Sequence, residues 1–144
     1  MKKQNKRWDR VENISEWFDM ENAVYYHGGD KRWLSDKIRW QRLIGSEDTE
    51  DMIFGIAEID PGEYHLLHYH EDCSECYFVL EGRAKFRIDD EVIDGTPGTG
   101  LYMPAGSKHA IVNDGKKKLV FFFAYPKPYY KTTLVDARIP DMGD

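Results

Sequence analysis

The sequence predicts an all-β domain, and three observations support this prediction. Short runs rich in Ile, Val, Phe and Tyr recur along most of the chain. Turn-forming residues separate these runs at short intervals, as in the segments DPGE, DGTPG and NDGK. One run, RAKFRID, alternates strictly, with Ala84, Phe86 and Ile88 on one face and basic residues on the other. Many short strands joined by such turns are typical of an antiparallel β-sandwich or barrel.

Eight runs are predicted to be strands because they are short, apolar or alternating, and bounded by turn residues. In chain order they are KIRWQRLI, DMIFGIAEI, EYHLLHYH, ECYFVL, RAKFRI, GLYM, HAIV and KLVFFFAY. The LVFFFAY part of the last run is apolar on both faces, which predicts that both faces are buried. One face would lie in the core, and the other under a second subunit or the N-terminal segment. A homodimer is the first expectation.

The beginning of the chain differs from the rest. The segment SEWFDMENAV predicts a short helix capped by Ser15, and HGGDKRW is typical of a loop. At 144 residues the chain is the size of one domain. We therefore expect residues 1–36 to form an N-terminal extension that packs on a β-barrel domain of residues 37–144.

Composition narrows the classes of partner. Apolar residues make up 41% and charged residues 32% of the chain, and the net charge of −6 disfavours nucleic acid and anionic membranes as partners. No run approaches the roughly 18 apolar residues of a membrane helix. The basic start, MKKQNKRWDR, is not followed by the apolar segment of a secretory signal. We expect a cytoplasmic protein with a small-molecule partner.

The two cysteines form a single C-x-x-C, Cys73 and Cys76. A thioredoxin-like redox motif belongs in a βαβ unit, whereas strands are predicted on both sides here. A closed zinc site needs four ligands, and there is no second cysteine pair. The favoured interpretation is a thiol pair without metal or redox chemistry.

The segment HYHEDCSECYF carries the strongest candidate site. Side chains alternate along a strand, so His68 and His70 point the same way, about 6.6 Å apart. Both imidazoles can then reach one metal ion, at about 2.0 to 2.1 Å from each nitrogen. Glu75 and Tyr77 repeat the same spacing after a short connection. His65 has the opposite parity to His68 and is expected to face away, and neither it nor His27 is assigned a role.

A longer pattern contains this segment. Gly62, His68, His70, Glu75 and Gly82 fit the spacing G-x5-H-x-H-x4-E-x6-G. A second set fits G-x5-P-x-G-x2-H-x3-N, and its members are Gly98, Pro104, Gly106, His109 and Asn113. Together the two sets resemble the paired signatures of the cupin superfamily. The resemblance implies a single-domain jelly-roll barrel in which His68, His70, Glu75 and His109 bind one divalent transition metal inside the barrel.

A narrower resemblance concerns the reaction. The runs IRWQRLI, IFGIAEIDPG, LHYH and KHAIVNDGKKKLVFFFAYP, with the E-x-Y of Glu75 to Tyr77, are similar to short single-domain cupin dimethylsulfoniopropionate lyases. This resemblance implies that the metal holds the substrate carboxylate and that Tyr77 removes the α-proton, which releases dimethyl sulfide and leaves acrylate. Tyr64, which shares parity with His68, and two further aromatic residues, Trp40 and Tyr102, are candidates for the substrate pocket.

Other functions stay open at this stage. The fold hosts many reactions, so an Fe(II)-dependent dioxygenase, a metal-dependent isomerase or decarboxylase of a small hydroxy or keto acid, and a non-catalytic binding protein are alternatives. The ligand set does not choose among Fe, Mn, Ni, Co and Zn.

Overall fold

The computed structural model describes residues 24–25 and 36–143. In this part of the chain there are eleven strands and no helix. The strands are β1 Val24–Tyr25, β2 Arg39–Ile44, β3 Ile53–Ile59, β4 Tyr64–Tyr69, β5 Glu75–Glu81, β6 Ala84–Ile88, β7 Glu91–Gly95, β8 Gly100–Met103, β9 His109–Val112, β10 Leu119–Tyr125 and β11 Thr133–Leu134.

The strands form two antiparallel sheets, which confirms the predicted all-β sandwich. One sheet has the order β1-β2-β3-β10-β5-β8, and the other has the order β11-β4-β9-β6-β7. The main core lies between the sheets, because Ile53, Val79 and Phe121 of the first sheet share one buried cluster with Phe86 and Ile111 of the second. Strand β6 shows the predicted alternation, with Ala84 and Phe86 buried.

Each of the eight predicted runs contains a strand, but the prediction missed others. Strand β7, residues 91–95, is not among the eight predicted runs and ends within the turn segment DGTPG. It is an edge strand whose side chains are mostly exposed, so it lacks the apolar pattern that identifies a buried strand. Strand β11 has only two residues, which is too short for an apolar or alternating pattern.

Of the predicted N-terminal extension, residues 1–36, the structure describes only residues 24, 25 and 36. The helix expected after Ser15, and His27, lie outside the described residues. Val24 and Tyr25 pair with Trp40 and Arg39 in an antiparallel register, so a short piece of the extension continues the first sheet beyond β2. The domain boundary at residues 36–37 stays a prediction. The described residues include no helix with the length and apolarity needed to span a membrane.

Asn113 holds together the segments that lead into the second sheet. Its buried amide nitrogen donates to the carbonyls of Ile59 and Lys117, at 2.9 Å each, and its side-chain oxygen accepts from the amide of Gly115 at 3.0 Å. Its backbone also bonds to both sides of the turn before β4, at Gly62 and Glu63. This motif residue therefore fixes the chain entering the strand that carries the first histidine.

Gly82 has a steric reason for its place in the motif. Its φ is +75°, and a Cβ added there would lie 2.4 Å from the carbonyl oxygen of Lys118. Both facts exclude a larger side chain, since only glycine adopts such a φ at no cost and leaves that space empty. The tight passage from β5 to β6 depends on this glycine.

Candidate metal centre

The structure brings together the four side chains that the motif predicts. His68 comes from β4, His70 from the turn after it, Glu75 from the start of β5 and His109 from the start of β9. One possible ligand atom from each lies within 4.8 Å of those of the other three, and no residue of the set is more than 4% exposed. The two sheets thus contribute to a single buried cluster.

Hydrogen bonds orient each imidazole. The Nδ1 of His68 donates to the carbonyl of Leu66 at 2.6 Å, and the Nδ1 of His109 donates to that of Ser107 at 3.1 Å. The Nδ1 of His70 lies 3.0 Å from the hydroxyl of Thr132. These contacts leave Nε2 of each ring for the cluster, which is the arrangement that metal-binding histidines usually show.

Glu75 contacts two of the three histidines. Its Oε1 is 2.9 Å from Nε2 of His109 and 3.4 Å from Nε2 of His70. Burial acts to raise the pKa of Glu75, but its interactions with His109 and His70 outweigh burial and lower the pKa to about 2. Burial, together with the neighbouring His109, lowers the pKa of His68 well below its usual value. A carboxylate and a neutral imidazole are the ligand forms of these groups.

The donor set fits a divalent transition metal. Three imidazole nitrogens and one carboxylate oxygen suit Fe, Mn, Ni, Co or Zn, and the set leaves coordination positions for water or substrate. The hydrogen-bonded Nδ1 atoms and the converging Nε2 atoms are consistent with this. The cluster could therefore hold a metal, and the geometry does not choose among these five.

A cavity of about 70 Å³ opens beside the cluster. This is small beside the roughly 300 to 1,000 Å³ of pockets for drug-sized ligands, so it suits a compact ligand. Its wall is mostly aromatic. Besides the cluster, the lining includes Trp40, Arg42, Tyr77, Phe123, Tyr125 and Tyr130.

Two tyrosines of the wall stand close to the cluster. The ring of Tyr77 packs against Phe121, with centroids 4.7 Å apart, and lies 6.1 Å from the ring of His109. The hydroxyl of Tyr125 is 3.4 Å from Nε2 of His70. Burial, and then the nearby Glu75, raise the pKa of Tyr125 well above its usual value. The sequence does not indicate which face of β10 carries Tyr125. The structure places its side chain in the cavity wall, beside the cluster.

The three aromatic pocket candidates have different positions. Trp40 lines the cavity, as expected. Tyr64 does not, because it packs with Leu66 and Leu134 in a separate cluster. Tyr102 is 64% exposed on the outer face of its sheet, since its neighbours on β8 are the ones that point into the core. Of the three candidates, only Trp40 therefore lies in the wall of this cavity.

His65 was expected to face away and instead lines the cavity. The cause is a β-bulge. The register passes from His65 opposite Ile111 to His68 opposite His109, so three steps on β4 match two on β9. The additional residue reverses the parity of everything before it, which turns His65 inward and Tyr64 outward. No motif in the sequence marks this bulge.

Cys73 and Cys76 do not belong to the four-residue cluster. Both thiols are free, with Cys73 buried and Cys76 exposed. Partial burial of the sulfur raises the pKa of each thiol above its usual value, which disfavours the thiolate needed for metal binding or nucleophilic attack.

The chain is similar to a known domain family and to known proteins. Residues 55–125 match the Cupin domain family. Dimethylsulfoniopropionate lyase DddW of Ruegeria pomeroyi is 32% identical over 109 residues, which cover 74% of this chain and 69% of that protein. Polyketide synthase CurC of Streptomyces cyaneus is 30% identical over 119 residues, which cover 81% of this chain and 73% of that protein. The two names differ, so these similarities do not select one reaction.

A solved structure supports the fold. An uncharacterized conserved protein with a double-stranded β-helix domain, from Klebsiella pneumoniae, superposes with a TM-score of 0.65 at 17% identity. The match covers 83% of this chain and 96% of that protein. At this identity the similarity concerns architecture alone.

Proposed function

Because the chain belongs to the cupin family, we propose that its buried cluster holds one divalent transition metal and that the protein is a metal-dependent carbon–sulfur lyase. The proposed reaction is β-elimination from dimethylsulfoniopropionate, or from a similar small carboxylate. The observation that carries this proposal is a four-donor cluster opening on a small cavity with Tyr77 in its wall. The lyase relative supplies the first substrate to test.

The residues would divide the work as follows. His68, His70, Glu75 and His109 are the proposed ligands. A metal held there would polarise a substrate carboxylate and so acidify its α-hydrogen. Tyr77, as phenolate, would take the α-proton. The electron pair of that C–H bond forms the new double bond, and the pair of the breaking C–S bond leaves with the sulfur. The sulfonium thereby becomes neutral dimethyl sulfide, and acrylate remains.

The aromatic wall suits the compact, cationic sulfonium group of the proposed substrate. Tyr125 and Tyr130 stack with their centroids 4.1 Å apart, and both pack beside His70. A sulfonium near such rings gains about 0.5 to 2 kcal/mol of cation–π attraction. The buried position also excludes water from the reacting groups, which strengthens electrostatic interactions within the site.

Headspace release of dimethyl sulfide tests the proposal. Protein reconstituted with each of the five metals is given dimethylsulfoniopropionate, with Tyr77→Phe and Tyr125→Phe in parallel. We expect release by the wild type and a loss of about 100-fold or more in kcat for Tyr77→Phe with its metal retained. A loss confined to Tyr125→Phe would transfer the role of base to Tyr125. No release with any metal would refute the lyase.

One observation favours a second candidate. Arg42 lines the cavity with its guanidinium 5.1 Å from the ring centroid of Trp40. A fixed cation there repels a sulfonium and attracts a second anionic group on the substrate. A metal-dependent isomerase or decarboxylase of a small hydroxy or keto acid is therefore the alternative. Faster dimethyl sulfide release by Arg42→Gln than by wild type would support this view of Arg42 as selecting against the sulfonium.

A homodimer is part of the proposal. On strand β10, Phe121 lies in the core, whereas on the outer face Val120 is buried and Phe122 is partly buried in a second cluster. Phe78, on the neighbouring strand β5, is 46% exposed on that outer face. We expect light scattering after size exclusion to give twice the chain mass and Phe78→Lys to shift the protein towards the monomer. A monomeric wild type would contradict this expectation.

A further inference from the structure

Asp36 is a buried carboxylate outside the proposed ligand set. It lies three residues before Arg39, the first residue of β2, and is only 1% exposed. Its oxygens accept hydrogen bonds from the amide of Lys37 at 3.0 Å, the amide of Leu66 at 3.2 Å and Nδ1 of His65 at 2.9 Å. Because a carboxylate only accepts, the His65 ring must donate its Nδ1–H. Two of these donors belong to β4, so Asp36 ties the chain entering β2 to that strand.

The contact falls at the β-bulge. Leu66 lies inside the bulge, where the β4–β9 register skips from His65 to His68. Its amide donates to Asp36 instead of to a ladder partner. A buried amide without an acceptor costs about 1 to 3 kcal/mol, so the carboxylate stabilises the backbone path that the bulge requires.

Two routes connect Asp36 to the cluster. The first passes through the backbone of Leu66, whose amide bonds to Asp36 and whose carbonyl accepts from Nδ1 of His68 at 2.6 Å. The second passes through His65, whose ring packs on that of His68 with centroids 4.3 Å apart. Both routes act on the orientation of the same imidazole.

We infer that Asp36 and His65 are positioning residues of the metal centre. Asp36 holds the bulge and the His65 ring, and together they direct Nε2 of His68 at the cluster. The inference rests on the metal site of the proposed function and is independent of the reaction catalysed there.

Asp36→Asn is the first test. The carboxylate accepts hydrogen bonds from both Nδ1 of His65 and the amide of Leu66, whereas a side-chain amide has only one oxygen to accept them. The other donor would then face an NH2 group and lose its partner. We expect the affinity for Co²⁺, measured by competition with a chelator, to fall by about 10- to 100-fold. The visible absorption bands of the bound Co²⁺ should shift as well, since they report ligand geometry rather than stability.

Glu58→Gln is the matched control. Glu58 is also a buried carboxylate, 3% exposed, but it pairs with Arg39 at 2.6 Å and Lys118 at 3.3 Å, on the outer side of its sheet. Its substitution should lower stability and leave the Co²⁺ spectrum as in the wild type. A spectrum and affinity of Asp36→Asn that match those of Glu58→Gln would overturn the inference.

Two variants of His65 test the pair independently of whether Asp36→Asn folds. His65→Asn keeps an N–H near the position of Nδ1, and His65→Phe keeps the ring without the donor. If the bond to Asp36 positions His68, His65→Asn binds Co²⁺ more tightly than His65→Phe. The reverse order would overturn the role of Asp36.

The outcomes separate this inference from the proposed function. A wild type that binds Co²⁺ but releases no dimethyl sulfide with any of the five metals would refute the lyase while the order of the variants still supports the positioning pair. A wild type that binds none of the five metals would overturn both.

Discussion

Replacing the fully buried Asn113 by leucine would remove three hydrogen bonds, one buried and two partly buried, with little change in volume. The carbonyls of Ile59 and Lys117 would lose their donor, and the amide of Gly115 its acceptor. At a net value of about 1 kcal/mol for each bond, the free energy of unfolding should fall by about 2 to 4 kcal/mol. Asn113→Asp should cost at least as much, because it sets a carboxylate oxygen against two carbonyl oxygens.

Urea unfolding of the metal-free protein measures both losses without a contribution from the metal. Asp114→Asn is the matched control, since Asp114 is exposed and its contact with Arg83 is 3.7 Å long. That variant should stay within about 0.5 kcal/mol of the wild type. A loss of less than about 1 kcal/mol for Asn113→Asp would refute the assignment of these bonds as the main role of the motif asparagine.

Three further predictions concern the metal and the core. Chelation should lower the free energy of unfolding, by about 2.7 kcal/mol if free metal was initially at about 100 times its Kd, as differential scanning calorimetry would show. In the folded, metal-free protein the pKa of His68 is lowered, so as pH falls His68 is protonated in the unfolded chain before it is protonated in the folded one. The free energy of unfolding should therefore decrease as pH drops below about 6.5. Urea midpoints should show a less steep decrease in His68→Gln. Phe121→Ala removes a fully buried ring that contacts Tyr77 and should cost about 3 to 5 kcal/mol in urea unfolding, and a loss under half of that would contradict its place in the core.

The sequence was most informative where spacing and chemistry coincide. His68 and His70 are separated by one residue, and strand periodicity alone places them on one face. The distant His109 required the second motif, because no local rule predicts which strands lie together in a sandwich. The strands of the core were predicted because apolar or alternating runs mark them, whereas β7 was missed because an exposed edge strand carries no such pattern.

Strand parity is a poor guide where a strand is irregular or very short. Parity counted from His68 assigned Tyr64 to the cavity and His65 away from it, and the bulge between His65 and His68 reverses both. Tyr102 belongs to a run of four residues, too short to show which face is buried. Nothing in the sequence indicated a role for Asp36. Its partners on β4 are 29 and 30 residues away and meet it only after β4 has folded onto the segment before β2.

Metal content is the measurement that tests the central claim most directly. Wild-type protein is reconstituted with each of the five divalent metals, desalted and analysed by elemental mass spectrometry. It should retain one ion per chain with at least one of the metals. Glu75→Gln and His109→Ala should lose that ion, and Tyr102→Phe, altered only on the exposed face, should keep it. Retention by Glu75→Gln and His109→Ala as in the wild type, or no stoichiometric binding of any metal, would contradict the account.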